Sequence, residues 1–174
     1  MDPITFISNY APKGSVIFIN YKFSLTEFFN PSEDKHAAIY IGQSTKTTYD
    51  LLHYTDERWI VEATYKNGVN KISVQELVQD ATNIKVYILD DYNFETKMSI
   101  AADIATSFIG TPYGFGSNNL YCFKLVADCY KTLGVVLPTY NILGKRVYLS
   151  QSFTCSKQWR RIYDFTLPDL PRVL

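Results

Sequence analysis

Histidine, cysteine, long apolar runs and an excess of either charge are all scarce in this 174-residue chain. Seventeen basic residues are cancelled by seventeen acidic ones. No run of Lys or Arg breaks that balance, so neither nucleic acid nor an anionic membrane is expected as the main partner. No apolar stretch approaches the ~20 residues needed to span a bilayer. The first residues, Met1-Asp-Pro-Ile-Thr-Phe-Ile-Ser8, put an acid where a secretory signal carries a base. These absences predict a soluble, intracellular protein without a transmembrane segment. Three cysteines, Cys122, Cys129 and Cys155, are too few and too odd in number for a disulfide scaffold, which points to reduced thiols. Neither Cys-x-x-Cys nor His-x-x-x-His occurs, so no structural zinc, and no metal or organic cofactor, is expected. With no repeat, low-complexity tract or linker, residues 1–174 read as a single domain with a full core.

What is abundant is aromatic: fourteen Tyr and eleven Phe suit a β-rich core. Short strand-like runs alternate with helical patterns. Ser15–Asn20, Lys35–Gly42, Trp59–Thr64, Val69–Ile72 and Ile84–Leu89 read as strands, and Asn67-Gly68 predicts a tight hairpin between the third and fourth. Ser73-Val-Gln-Glu76 has capping-box spacing and starts a short helix. Met98, Ala101, Ala105 and Phe108 recur at helical spacing within a helix over 95–109. A second long helix starts near Cys122 and stops at Leu133-Gly134. Residues 144–150 and 158–165 read as two more strands, with a possible helical turn at Ser150-Gln-Ser. The irregular connection from Gly42 to Arg58 is a candidate flap, and Pro168 and Pro171 make the tail an extended strap. The expected class is α+β, a mostly antiparallel sheet packed against two long helices.

The segment richest in chemistry is Gly110-Thr-Pro-Tyr-Gly-Phe-Gly116 followed by Asn119-Leu-Tyr-Cys-Phe-Lys-Leu-Val126, which places Cys122 in the first turn of a helix. Free N–H groups and the positive end of the helix dipole favour a thiolate there. Gly114 and Gly116 clear side chains from the approach, so a substrate carbonyl can reach the N–H groups of the first turn. Cys122, Val126, Cys129 and Leu133 share one stripe, and Cys129 reads as a small buried hydrophobe on it. A thiol nucleophile needs a base, and His36 at the start of an apolar strand is held better than His53 in the irregular connection. The plain alternative for His36 is a surface histidine, since Glu33-Asp-Lys35 before it reads as solvated. Glu62 is the best candidate to orient the ring, because a carboxylate inside Ile60-Val-Glu-Ala63 needs a partner. An outward-facing charge is its alternative. Asp50, Asp56 and Glu57 lie in the connection, where they would position a ring badly. Tyr113 and Tyr40 are candidate oxyanion donors or pocket walls.

Taken together, His36-Ala-Ala-Ile-Tyr-Ile-Gly42, Val61-Glu-Ala-Thr64 with Asn67-Gly-Val69, and Gly110-Thr-Pro-Tyr113 before Tyr121-Cys-Phe-Lys-Leu-Val126 resemble the NlpC-type papain-like superfamily. The order His, Glu, Cys resembles its circularly permuted branch, which includes lecithin:retinol acyltransferase relatives. Met1-Asp-Pro3, Leu143-Gly-Lys145 and Leu149-Ser-Gln151 extend the likeness to the small poxvirus members, which implies a host-cell cytoplasmic setting. The resemblance implies a permuted papain-like fold and a triad of nucleophile Cys122, base His36 and orienting Glu62. It also implies a cysteine hydrolase or acyl-transfer enzyme acting on an amide, ester or thioester. Phe123 and Lys124 depart from the small polar residue often found after the cysteine, which puts the pocket lip in question. With Tyr and Phe around the site and no basic cluster, an acylated, peptide or lipid-like substrate is expected. A protein that keeps the fold without turnover and modulates a host factor is the alternative, and a structural virion component is a third reading.

Overall fold

The computed structural model of the chain describes residues 1–22, 30–43 and 57–167. His53, Asp50, Asp56, most of the expected flap and the proline-containing tail lie outside the described residues. In chain order the elements are α1 (Pro3–Tyr10), β1 (Val16–Tyr21), β2 (His36–Gln43), β3 (Arg58–Thr64), β4 (Gly68–Ser73), α2 (Val74–Val78) and β5 (Ala81–Leu89). They continue with α3 (Phe94–Ser107), α4 (Cys122–Lys131), β6 (Tyr140–Ile142), β7 (Lys145–Val147), α5 (Gln151–Thr154) and β8 (Trp159–Thr166). The architecture is α+β. Six strands form one sheet in the order β4-β3-β2-β1-β5-β8, every neighbouring pair antiparallel, and β6 and β7 make a separate two-stranded hairpin.

Two apolar layers explain this arrangement. On one face Val16, Phe18, Ala37, Ile39 and Val61 pack under Met98, Ala101 and Ala105 of α3 and Leu125, Val126 and Cys129 of α4. On the other face Ile17, Ile19, Ala38, Tyr40 and Ile60 meet Ile7 of α1 and Val74 and Leu77 of α2. Central strand β1 is therefore covered on both sides, and Val16 to Ile19 are all fully buried. Cys129 is fully buried as well, and burial pushes its thiol well above the ordinary range.

Local signals in the sequence are realised where the chemistry is strong. The capping box forms: Ser73 N–H donates to Glu76 Oε2 at 2.7 Å, and Glu76 N–H donates to Ser73 Oγ at 3.1 Å. Gly68 has φ +66 in the hairpin, and a Cβ there would lie 2.6 Å from the Thr111 carbonyl oxygen. That close approach joins the start of β4 to the loop leading into α4. Val69 N–H donates to the Thr111 carbonyl and Gly110 N–H to the Val69 carbonyl, both at 2.9 Å. Helix α1 is an addition to the sequence reading. Pro3 opens it, and Asp2 caps it by accepting from Thr5 N–H at 2.9 Å.

Candidate active site

Cys122 is the first residue of α4, and the preceding Tyr121 supplies no side-chain cap to the helix start. The approach to it is pinned by its own backbone. Leu120 N–H donates to the Pro112 carbonyl at 3.1 Å, Gly114 N–H donates to the Leu120 carbonyl at 3.3 Å, and Asn119 Nδ2 donates to the Tyr113 carbonyl at 3.1 Å. A Cβ on Gly114 would sit 2.8 Å from Asn119 Nδ2, so a glycine is required for this crossing. Lys124 turns away from the thiol to donate to the Asn119 carbonyl at 3.0 Å and to face Asp128 at 3.3 Å. Phe123 stays at the site as a wall and reaches the Phe18 ring in the core behind it.

His36 and Glu62 come from neighbouring strands. Ala38 of β2 stands directly opposite Glu62 of β3, so His36, two residues earlier on the same face, is the diagonal neighbour of Glu62. The ring Nε2 lies 2.7 Å from Glu62 Oε2, and Glu62 is only 7% exposed. Parity groups His36 with Ala38 and Tyr40, whereas Cys122 belongs to the core on the α3–α4 face. They meet at the end of the sheet, where His36 is the first residue of β2. Burial of the imidazole opposes its charge, but the Cys122 sulfur and the Glu62 carboxylate favour the charged ring and outweigh it. The result is a pKa raised to about 10. The direction of that shift favours the charged imidazole beside Glu62 at neutral pH.

The turn before His36 is not the solvated stretch expected from Glu33-Asp-Lys35. Asp34 is 0% exposed and pairs with Lys85 of β5 at 2.8 Å, because the chain folds back over the sheet instead of leaving it. Asp34 N–H donates to Ser150 Oγ at 3.0 Å, Ser150 N–H donates to Ser32 Oγ at 3.1 Å, and Lys35 N–H donates to Asn20 Oδ1 at 2.7 Å. Of this turn, only Pro31 and Glu33 are exposed.

Cys122, His36 and Glu62 line a cleft of about 880 Å³. Its walls are largely aromatic: Tyr65, Tyr113, Phe115 and Tyr121 form a chain of ring contacts, closest between Phe115 and Tyr121 with centroids 4.6 Å apart. Burial and the nearby Cys122 charge push the Tyr113 hydroxyl up to about 12, so it remains a donor. Tyr40 is not at the cleft. It is buried among Ile17, Ala38 and Ile60 on the α1–α2 side, a correction that follows from its place four residues further along β2, away from the sheet end. The sequence reading also missed Tyr121, whose hydroxyl accepts from Tyr148 N–H at 2.6 Å, and the β6–β7 hairpin, which also lines the cleft. Among the described residues no group of three or more His, Cys, Asp or Glu is arranged to hold a metal ion.

Residues 10–163 match the family model of permuted papain-like amidase enzymes, the YaeF/YiiX or C92 family. The chain belongs to that family. Its relatives include Protein OPG091 of Vaccinia virus (strain Copenhagen), 47% identical over 164 residues that make up 94% of this chain and 92% of the relative. Protein OPG091 of Variola virus (isolate Human/India/Ind3/1967) is 46% identical and that of Monkeypox virus 45%, over the same shares. Among solved structures, the metalloprotein YiiX of Escherichia coli O157:H7 superposes with a TM-score of 0.68 at 15% identity, covering 90% of this chain and 99% of YiiX. That likeness is one of fold. No helix among the described residues is long and apolar enough to cross a membrane.

Proposed function

We propose that the protein is a cysteine hydrolase or acyl-transfer enzyme with Cys122 as nucleophile, His36 as acid–base and Glu62 as the group that orients His36. The observation that carries this reading is the imidazole held 2.7 Å from Glu62, with Cys122 lining the same cleft. With Nε2 committed to Glu62, Nδ1 is the nitrogen that serves the sulfur. The sulfur adds to the carbonyl carbon of an amide, ester or thioester, and the carbonyl oxygen takes the negative charge. The Cys122 N–H, at an uncapped helix start, and the Tyr113 hydroxyl are the donors proposed for that oxygen. Collapse expels the amine, alcohol or thiol, which takes its proton from His36 and leaves a thioester on Cys122. Neutral His36 then removes a proton from water, or from an acceptor nucleophile, as that group attacks the thioester and frees the sulfur.

The aromatic walls favour an acylated, peptide or lipid-like substrate over a phosphorylated one. Kinship with poxvirus proteins supports a place in the infected cell's cytoplasm. The reading is tested by timing alkylation of Cys122 with iodoacetamide at pH 7, using peptide mass to separate it from exposed Cys155. The expected rate exceeds that of a cysteine in an unfolded peptide by about tenfold or more and falls in His36→Ala. A rate no faster than the peptide's would leave a fold that binds a host factor without turnover.

A further inference from the structure

The β6–β7 hairpin turns on two residues, Leu143 and Gly144, with φ of +50 and +80. Positive φ at both central positions is the mark of a type I′ turn, which selects Asn-Gly or Asp-Gly. A leucine there is held in a conformation that bulky side chains avoid. It is also 100% exposed, so no packing within the chain compensates for the strain. A residue costly to the turn and unburied by the fold needs a contact that the free protein does not supply.

The position of the hairpin indicates that contact. Ile142, Leu143 and Val147 line the same cleft as the Tyr65–Tyr121 aromatic wall. The hairpin's base is tied to both halves of the site. Tyr148 N–H donates to the hydroxyl of Tyr121, the neighbour of the nucleophile, and Ser150 is bonded to the turn that leads to His36. The tip, which lines the cleft, is therefore carried on a tethered base.

We propose that Leu143 is a specificity-determining residue that lies against an apolar group of the substrate held in the cleft and selects substrates that carry one. This rests on Cys122 being the reacting group. The chemical class follows from Leu143 together with Ile142 and Val147, an apolar patch beside which Lys145 of the same hairpin also lines the cleft.

The experiment compares two alkylating probes, iodoacetamide and N-benzyl iodoacetamide, on Cys122 in a Cys155→Ser background. The protein is expected to prefer the benzyl reagent over the plain one, relative to free cysteine. In Leu143→Asn, which suits the positive φ, that preference should fall about tenfold, the loss expected when much of one leucine's contact is removed. Its urea midpoint should stay level or rise, because the turn is relieved of strain. Leu143→Gly repeats the test without adding a polar group. An unchanged preference in both variants, or no preference in the parent, overturns the assignment. Slow alkylation of Cys122 by plain iodoacetamide would instead count against the nucleophile. The ratio between the two probes would still decide the role of Leu143.

Discussion

The two halves of the site are held in place by different chemistry. The His36–Glu62 half rests on a buried polar framework: Asp34 paired with Lys85, Ser32 and Ser150 exchanging hydrogen bonds with the turn, and Asn20 holding Lys35. The Cys122 half rests on shape, with Gly68 and Gly114 letting backbone and side chain approach more closely than a Cβ would permit. The first is sensitive to charge and the second to volume, and substitutions should separate them.

The largest effect is expected from the polar framework. Asp34→Ala leaves the partly buried Lys85 ammonium without its partner and should cost about 3 kcal/mol in urea unfolding. The double change Asp34→Leu with Lys85→Met should restore most of it. If the single change is neutral, the framework is not what holds this half. A smaller loss, about 2 kcal/mol, is expected for Gly68→Ala, from the positive φ and the clash with the Thr111 oxygen. Because it shifts the loop that leads to α4, it should also slow Cys122 alkylation, and normal alkylation in a destabilised variant would uncouple that loop from the thiol.

The smallest effect sharpens the electrostatic side. Glu62→Gln replaces a charge-assisted hydrogen bond with a neutral one, and turnover should fall about tenfold. The alkaline limb of the pH profile, which reports loss of the His36 proton near pH 10, should move to lower pH. The sign for stability follows from the same shift. Folded His36 binds its proton more tightly than the unfolded residue, with a pKa of 6.5, so its contribution is complete below that value and is lost as pH rises to about 10. Unfolding titrations of parent and Glu62→Gln across that range measure the difference, and identical curves would remove Glu62 from the account.

Much of this was legible in the sequence because it depends on local rules. Asn67-Gly68, the Ser73–Glu76 box and the helical spacing from Met98 to Phe108 carry their own geometry, and a carboxylate at Glu62 inside an apolar strand pointed to a partner. Strand order, the burial of Asp34 and the departure of Tyr40 from the cleft were not legible. Each depends on partners far along the chain: Lys85 for Asp34, and the α1–α2 layer for Tyr40. The β6–β7 hairpin was obscured for another reason, since Leu143-Gly144 lacks the Asn or Asp that usually announces such a turn.

The diagonal placement of His36 and Glu62 on adjacent antiparallel strands has a consequence for assembly. Their meeting closes a far shorter stretch of polypeptide than the meeting of either with the sulfur, so its entropic barrier is lower. A chain emerging from the ribosome carries the ring and carboxylate well before residue 122 is made. The sulfur is then added to an imidazole that strand pairing can already have oriented.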